Sequence, residues 1–190
     1  MNIAETFEHK GLTVEIIYDE DAQNPRDKDW ADNLDTMVCF HGKYNLGDEG
    51  HGYKHQDFNE LEAQIIKDHN PVVIKPLYLY DHSGITIATT PFSCRWDSGQ
   101  VGFIFISRKA ALDNWSKNKK TSNKSLVPRV NKYINASVKE YDDYLRGECF
   151  GYSVKKGEEE LDSCWGFIGR EYCIEEAKSI ADHYAEKEVA

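Results

Sequence analysis

The sequence lacks the features that mark membrane-spanning and secreted proteins. No apolar run approaches the ~20 residues that span a bilayer, and the N-terminal segment MNIAETFEHK carries acids where a secretory signal would have an apolar core. The five cysteines are an odd number and include no CxxC pair, so we expect reduced thiols and no disulfide framework. These absences favour a cytoplasmic protein that makes no contact with a membrane.

The motifs of several large enzyme classes are also missing. The sequence contains no P-loop, no GxGxxG, no GxSxG and no paired-carboxylate nuclease signature. No internal repeat of about 20–50 residues is present, so neither a repeat array nor a nucleotide-binding enzyme is indicated. The chain has 190 residues, of which 40% are hydrophobic, and this length suits one domain over residues 1–190.

Charge is distributed unevenly along the chain. The formal net charge is −10. Residues 1–66 carry −10 and residues 148–190 carry −6, whereas residues 107–147 carry +6. Such asymmetry indicates either a solvated surface or a surface that selects partners by charge, and it does not determine a fold.

Hydrophobic periodicity predicts an α+β domain with a mixed or mainly antiparallel sheet and about four helices. Strands are predicted at 12–18, 36–40, 85–89, 101–107, 150–154 and 161–167, and helices at 57–68, 108–117, 128–145 and 170–187. Pro76 should prevent the apolar segment 72–80 from being an uninterrupted central strand. The polar segment 117–127 is predicted to be an exposed basic loop.

Seven carboxylates lie within residues 19–35. Their alternation with asparagine suggests calcium ligands, but no glycine stands at a sharp turn and no glutamate closes a twelve-residue loop. We therefore predict that these acids face solvent or bind a cationic partner, since closely spaced carboxylates can mimic DNA phosphates. The predicted partner-binding acids are Asp19, Glu20, Asp21, Asp27, Asp29 and Asp32.

A second partner-binding group is predicted in the segment PFSCRWDS. It consists of Arg95, Trp96 and Asp97, because tryptophan and arginine dominate interaction hot spots. The alternative is a tight turn in which Trp96 covers the edge of a sheet.

Three further groups of residues leave other chemistries open. Cys94 with His82 and Asp81 could form a nucleophilic site, although no cysteine-hydrolase signature surrounds them. His51, His55 and Asp57 could hold a metal ion, but Gly50 and Gly52 argue against the helix that would align the two imidazoles. Clustered bases could touch nucleic acid, namely Lys117, Lys119, Lys120, Lys124 and Arg129. The function that we predict first is binding to a partner, by a protein that has no catalytic residue, metal or cofactor.

Four pieces of the chain carry a family resemblance. They are residues 24–48 (NPRDKDWADNLDTMVCFHGKYNLGD), 76–107 (PLYLYDHSGITIATTPFSCRWDSGQVGFIFIS), 140–154 (EYDDYLRGECFGYSV) and 162–169 (DSCWGFIG). Together they resemble a family of small acidic proteins encoded by bacteriophages and other mobile elements of bacteria. The resemblance implies expression in the cytoplasm of a bacterial host. It also implies a counter-defence inhibitor, of the anti-CRISPR or antirestriction kind, with a bacterial defence nuclease or its nucleic-acid complex as partner. A nucleic-acid-binding accessory protein of phage replication is the remaining alternative.

Overall fold

The structure, a computed structural model, describes residues 2–116, 118 and 120–187. In chain order its elements are β1 (Ile3–His9), β2 (Leu12–Tyr18), β3 (Thr36–Cys39), α1 (Phe58–His69), β4 (Pro71–Asp81), β5 (Ile85–Ala88), β6 (Ser98–Ser107), α2 (Arg108–Trp115), α3 (Asn123–Leu145), β7 (Cys149–Lys156), β8 (Glu159–Ile168) and α4 (Arg170–Lys187). Every strand pairing within these ranges is antiparallel. The predicted α+β class with four helices is therefore confirmed.

The chain divides into two compact units. The terminal unit comprises Met1–Asn24 and Asp143–Ala190, and the central unit comprises Pro25–Asp142. Each unit has its own four-stranded sheet, in the order β1-β2-β7-β8 in the terminal unit and β3-β6-β4-β5 in the central unit. This division does not test the prediction of a single domain over residues 1–190, which stays a prediction.

The terminal unit has its core between its sheet and α4. Leu12, Val14 and Ile16 alternate along β2 and are buried, as expected for a strand that packs one face against a helix. On α4 the buried residues are small and recur every four positions, at Cys173, Ala177 and Ala181. Small side chains at this spacing allow the helix to lie close to the sheet.

The central unit is built around β6, whose residues 101–106 are all buried. β6 pairs with β3 on one side and with β4 on the other, so the strand predicted at 101–107 is present and lies inside its sheet. Leu61 and Ile65 of α1 pack against Phe103 and Phe105 of β6. Asp57 caps α1, because its side chain accepts a hydrogen bond from the Asn59 N–H.

The structure agrees with the expectation that Pro76 keeps this segment from being a central strand along its whole length, because β4 has a neighbour on both sides only from Tyr78 onward and its pairing with β6 shifts between Leu77 and Tyr78. β6 pairs with β4 from Pro71 to Tyr80, whereas β5 pairs only with residues 78–81. At Pro76 the strand therefore has a hydrogen-bonded neighbour on one side only, and a missing N–H is tolerated at such a position.

The larger differences from the sequence prediction concern β1 and the start of α3, whereas β6, β7 and β8 extend two or three residues beyond their predicted bounds. β1 was not predicted, because its seven residues include two acids and a histidine and few β-branched residues. α3 starts at Asn123 and contains Pro128 in its interior, so residues 123–127 of the predicted basic loop are helical. Leu126 is buried within this first part of α3, so tertiary packing favours helix on the N-terminal side of Pro128, although the proline removes one helical hydrogen bond. No helix in the described part of the chain is both long and apolar enough to cross a membrane.

Candidate functional site

The first cleft lies in the terminal unit, beside the acids that follow β2. It has a volume of about 990 Å³ and is lined by Tyr18, Asp19, Glu20, Asp21 and Trp165, among others. Trp165 is 45% exposed and Tyr18 is 39% exposed. The cleft therefore brings three of the predicted partner-binding acids together with two accessible aromatic rings.

Trp165 is positioned by the absence of a side chain at Gly151. A Cβ atom at Gly151 would lie 2.3 Å from Cε3 and 2.5 Å from Cδ2 of the Trp165 indole. The indole therefore packs directly on the backbone of β7, in the way that an aromatic residue covers a strand glycine in designed sheets. This contact fixes the ring while leaving almost half of the residue open to a partner.

Asp19 has a structural role within this cleft. Its Oδ2 accepts a hydrogen bond from the Gly166 N–H at 3.0 Å, and its Oδ1 accepts one from the Asp21 N–H at 3.1 Å. The carboxylate thus joins the loop after β2 to β8. Glu20 and Asp21 are exposed, so these two acids supply the accessible negative charge.

The second acidic group lies on a loop of the central unit. Asp27, Asp29 and Asp32 are exposed, and none of them forms an ion pair with a described residue. Asp27 organises the turn, because its Oδ1 accepts a hydrogen bond from the Asp29 N–H at 3.0 Å. Trp30 stands among these acids and is 69% exposed. We call residues 27–32 the acidic Trp30 loop.

Asp35, the last acid of the run, is buried and belongs to a network that sequence reasoning missed. Arg26 Nη1 lies 2.7 Å from Asp35 Oδ1 and 3.2 Å from Ser137 Oγ, and Arg26 Nε lies 2.7 Å from Asp48 Oδ1. Burial by itself would lower the pKa of Arg26, but Asp35 and Asp48 together raise it. Burial raises the pKa of Asp35, and Arg26 opposes that rise.

This network fixes the loop that follows β3. Asp48 Oδ2 accepts a hydrogen bond from the Met37 N–H at 2.9 Å, and the Asp48 N–H donates to the Met37 carbonyl at 2.8 Å. The Gly47 N–H donates to the hydroxyl of Tyr141 on α3 at 2.9 Å. The loop 40–48 is therefore anchored at its far end by buried charges and by a buried tyrosine.

The second cleft lies in the central unit, above this loop. Its volume is about 860 Å³, and residues from the loop, from β4 and from the segment before β6 line it. His41 and Tyr44 stack with ring centroids 5.1 Å apart. The Tyr44 hydroxyl donates to Asp81 Oδ1 at 3.1 Å, and Lys43 Nζ lies 3.4 Å from Asp81 Oδ2. Hydrogen bonds with Tyr44 and Asp81 raise the pKa of Lys43.

The predicted group Arg95, Trp96 and Asp97 borders the central cleft. Trp96 is 96% exposed, so the alternative in which it covers a sheet edge was wrong. Arg95 is exposed as well, whereas Asp97 is half-buried. Trp96 and Asp97 both line the cleft, which places an accessible indole beside a carboxylate.

The hypothetical triad of Cys94, His82 and Asp81 does not assemble in the order that catalysis needs. Cys94 Sγ lies 3.3 Å from Asp97 Oδ2, and His82 Nδ1 lies 3.6 Å from the same oxygen. A carboxylate thus contacts both the thiol and the imidazole, whereas nucleophilic catalysis requires a base on the thiol. Asp81 is engaged with Tyr44 and does not orient His82.

His51, His55 and Asp57 do not form a metal centre. The rings of His51 and His55 both meet Phe40 edge-on, at centroid distances of 5.2 and 5.5 Å. Asp57 is occupied as the cap of α1. Within the ranges that the structure describes, no group of three or more histidine, cysteine, aspartate or glutamate side chains could hold a metal ion.

The basic residues are only partly described. Lys117 and Lys119 lie outside the described residues, and so does the last position of the helix predicted at 108–117. Lys120, Lys124 and Arg129 are exposed, and the last two lie on α3. Arg129 Nη1 donates to the Trp115 carbonyl at 3.4 Å. Their contact with nucleic acid stays a prediction.

Comparisons with known proteins add no assignment. No protein-family model, no curated protein and no solved structure matches this chain.

Proposed function

We propose that this chain is a counter-defence protein of a bacteriophage or mobile element, which binds and inhibits a bacterial immune nuclease in the host cytoplasm. The nuclease would belong to a CRISPR or a restriction system. The observation that carries the proposal is that exposed acids accompany an exposed tryptophan in two places. Glu20 and Asp21 share a cleft with Trp165, and the acidic Trp30 loop combines three aspartates with an indole.

Both parts of this combination suit a nuclease as partner. Nucleases hold nucleic acid in positively charged channels, and fixed carboxylates can compete for such a channel through long-range attraction. Tryptophan supplies the large buried contact that carries most of the affinity in protein interfaces. Exposed Lys120, Lys124 and Arg129 support a direct contact with the nucleic acid that the nuclease carries.

The acidic Trp30 loop provides the sharpest test. Asparagine at positions 27, 29 and 32 removes three charges and keeps at position 27 a side-chain oxygen that can accept the turn hydrogen bond. Exposed charge pairs contribute about 0.2–1 kcal/mol each, so we expect the triple variant to bind about tenfold more weakly. The dissociation constant would be measured against the purified nuclease whose interference with phage growth the wild-type chain blocks.

A matched variant controls for charge alone. Glu60→Gln, Glu62→Gln and Asp113→Asn also remove three negative charges from the central unit, but they lie on α1 and α2. We expect this variant to bind like the wild-type chain. If both triple variants weaken binding equally, the effect depends on net charge and not on the acidic Trp30 loop. A wild-type chain that restores phage plating against no CRISPR or restriction system would overturn the proposal.

A further inference from the structure

A cation of the chain itself, the ammonium group of Lys43, contacts Asp81, a carboxylate that lines the central cleft. Lys43 Nζ lies 4.7 Å from the centre of the Tyr44 ring and 3.4 Å from Asp81 Oδ2. A carboxylate and an aromatic face together form the usual binding site for an organic cation. The lysine side chain is 67% exposed, so it can leave this position without disturbing the core.

The same cleft offers a second carboxylate and a second aromatic ring. The Asp81 N–H donates a hydrogen bond to the Asp97 carbonyl at 2.8 Å, so the two aspartates are neighbours on adjacent backbone segments. Trp96 follows at the rim with 96% of its surface exposed. When Lys43 leaves Asp81, the two carboxylates favour a cation over a phosphate group at this position.

We infer that the central cleft binds an arginine side chain of a protein partner, whose guanidinium group displaces Lys43 from Asp81. A guanidinium is planar, stacks on aromatic rings and donates to two acceptors at once, whereas an ammonium is a compact, strongly hydrated charge. The cleft provides rings for stacking at Tyr44 and Trp96. Its acceptors are Asp81, once Lys43 has left, and Asp97, whose Oδ2 also contacts Cys94 and His82. A tryptophan exposed to this extent is typical of a residue that a protein partner covers. This inference concerns residues outside the acidic Trp30 loop, and it holds for any protein partner.

The test is a titration of the full chain with a peptide, followed by nuclear magnetic resonance. The probe is acetyl-Gly-Arg-Gly-amide, and the matched control carries citrulline, which keeps the shape of arginine but has no charge. We expect the arginine peptide to shift the indole N–H signal of Trp96 and the amide signal of Tyr44 in a saturable way. The citrulline peptide should leave both signals in place.

Substitutions then separate this site from general attraction. We expect Asp81→Asn and Trp96→Ala each to weaken binding about threefold to fivefold, the effect of losing an exposed ion pair or ring contact. Lys43→Gln should strengthen binding about threefold, because it frees Asp81 from its internal partner. Asp113→Asn on α2 and Lys109→Gln serve as charge-matched controls that change nothing.

Three outcomes would overturn the inference. The first is an arginine peptide that gives no saturable shift at Trp96 and Tyr44. The second is a citrulline peptide that binds equally well. The third is spermidine binding at these residues when the arginine peptide does not bind, since that result assigns the cleft to small polyamines. Because Trp96 is almost fully exposed, a loss of binding in Trp96→Ala cannot be attributed to unfolding.

Discussion

Replacing Arg26 with methionine should lower the free energy of unfolding by about 3–5 kcal/mol, the usual effect of removing one partner from a buried ion pair. Arg26 is 3% exposed and Asp35 is 3% exposed. Methionine fills much of the arginine volume, so the loss arises mainly from the two carboxylates, Asp35 and Asp48, that remain without their cation. Urea denaturation at pH 7, with Arg129→Met as an exposed control, measures the difference.

The loss in this variant should depend on pH in a defined direction. Burial raises the pKa of Asp35 above its ordinary value of 3.8, and Arg26 is the main group that opposes the rise. Without Arg26 the pKa of Asp35 rises further, so the folded state holds a proton that the unfolded state releases. Stability then falls as pH rises from the ordinary pKa through the folded one. We expect a larger deficit at pH 8 than at pH 5, and a deficit that does not change with pH contradicts this account.

A compensating variant tests whether the two unpaired carboxylates cause the loss of stability. Adding Asp35→Asn and Asp48→Asn to Arg26→Met removes both uncompensated charges, and asparagine at position 48 can still accept the Met37 N–H. We expect the triple variant to regain about half of the lost stability, as neutral replacements of buried ion pairs often do. A triple variant that is no more stable than Arg26→Met would assign the loss to packing.

The buried network connects stability with the central cleft. The Asp48 carboxylate pairs with the guanidinium of Arg26 and accepts a hydrogen bond from the Met37 N–H of β3. The Asp48 N–H donates to the Met37 carbonyl. The loop it closes carries Tyr44, which holds Asp81 in the cleft. Loosening Asp48 therefore frees the aromatic wall of the cleft, and rigid support of this kind determines how well a binding site is preorganised.

Local patterns in the sequence were sufficient for much of the fold. The helical spacing of apolar residues at α1 and α4 reports contacts within a few residues, and both predicted helices were confirmed. The start of α3 was predicted too late, because Pro128 is a strong local signal and the burial of Leu126 is a tertiary effect. β5 pairs with β4 only at residues 78–81, so β4 has a single neighbour at Pro76. The residues of β4 do not reveal how far β5 extends.

The sites depend on contacts that are distant in sequence, and these were mostly not predictable. Arg26 lies in a polar, acidic segment that indicates exposure, yet its partner Ser137 is 111 positions away. The same segment divides between two units, with Asp19–Asp21 in one and the acidic Trp30 loop in the other. Trp96 was correctly identified as unusual, but whether it was covered or open could be decided only from the sheet around it.

The close approach of β3 and β6 makes Gly102 the glycine at which an added methyl group should be most harmful. Gly102 stands opposite Cys39 in the strand pair. A Cβ atom there would lie 1.8 Å from the Val38 carbonyl oxygen and 2.9 Å from the Cys39 Cα. Both are backbone atoms, so no side-chain rotation can relieve the overlap and the strands must separate.

We therefore expect Gly102→Ala to lower the free energy of unfolding by about 3 kcal/mol or more, at or above the upper end for overpacked cores. Gly99→Ala is the matched control, because it lies on the same strand and its Cβ would meet nothing within 4 Å. Alanine is the better strand residue by about 0.5–1 kcal/mol, so this control should equal or exceed the wild type in urea denaturation. Gly102 directly follows residues 99–101 of β6 and pairs with Cys39 of β3, and all four of these residues line the central cleft. Gly102→Ala should therefore abolish the arginine-peptide shifts at Trp96. If Gly102→Ala and Gly99→Ala have the same urea midpoint, β3 and β6 can separate without loss of stability, and this prediction is wrong.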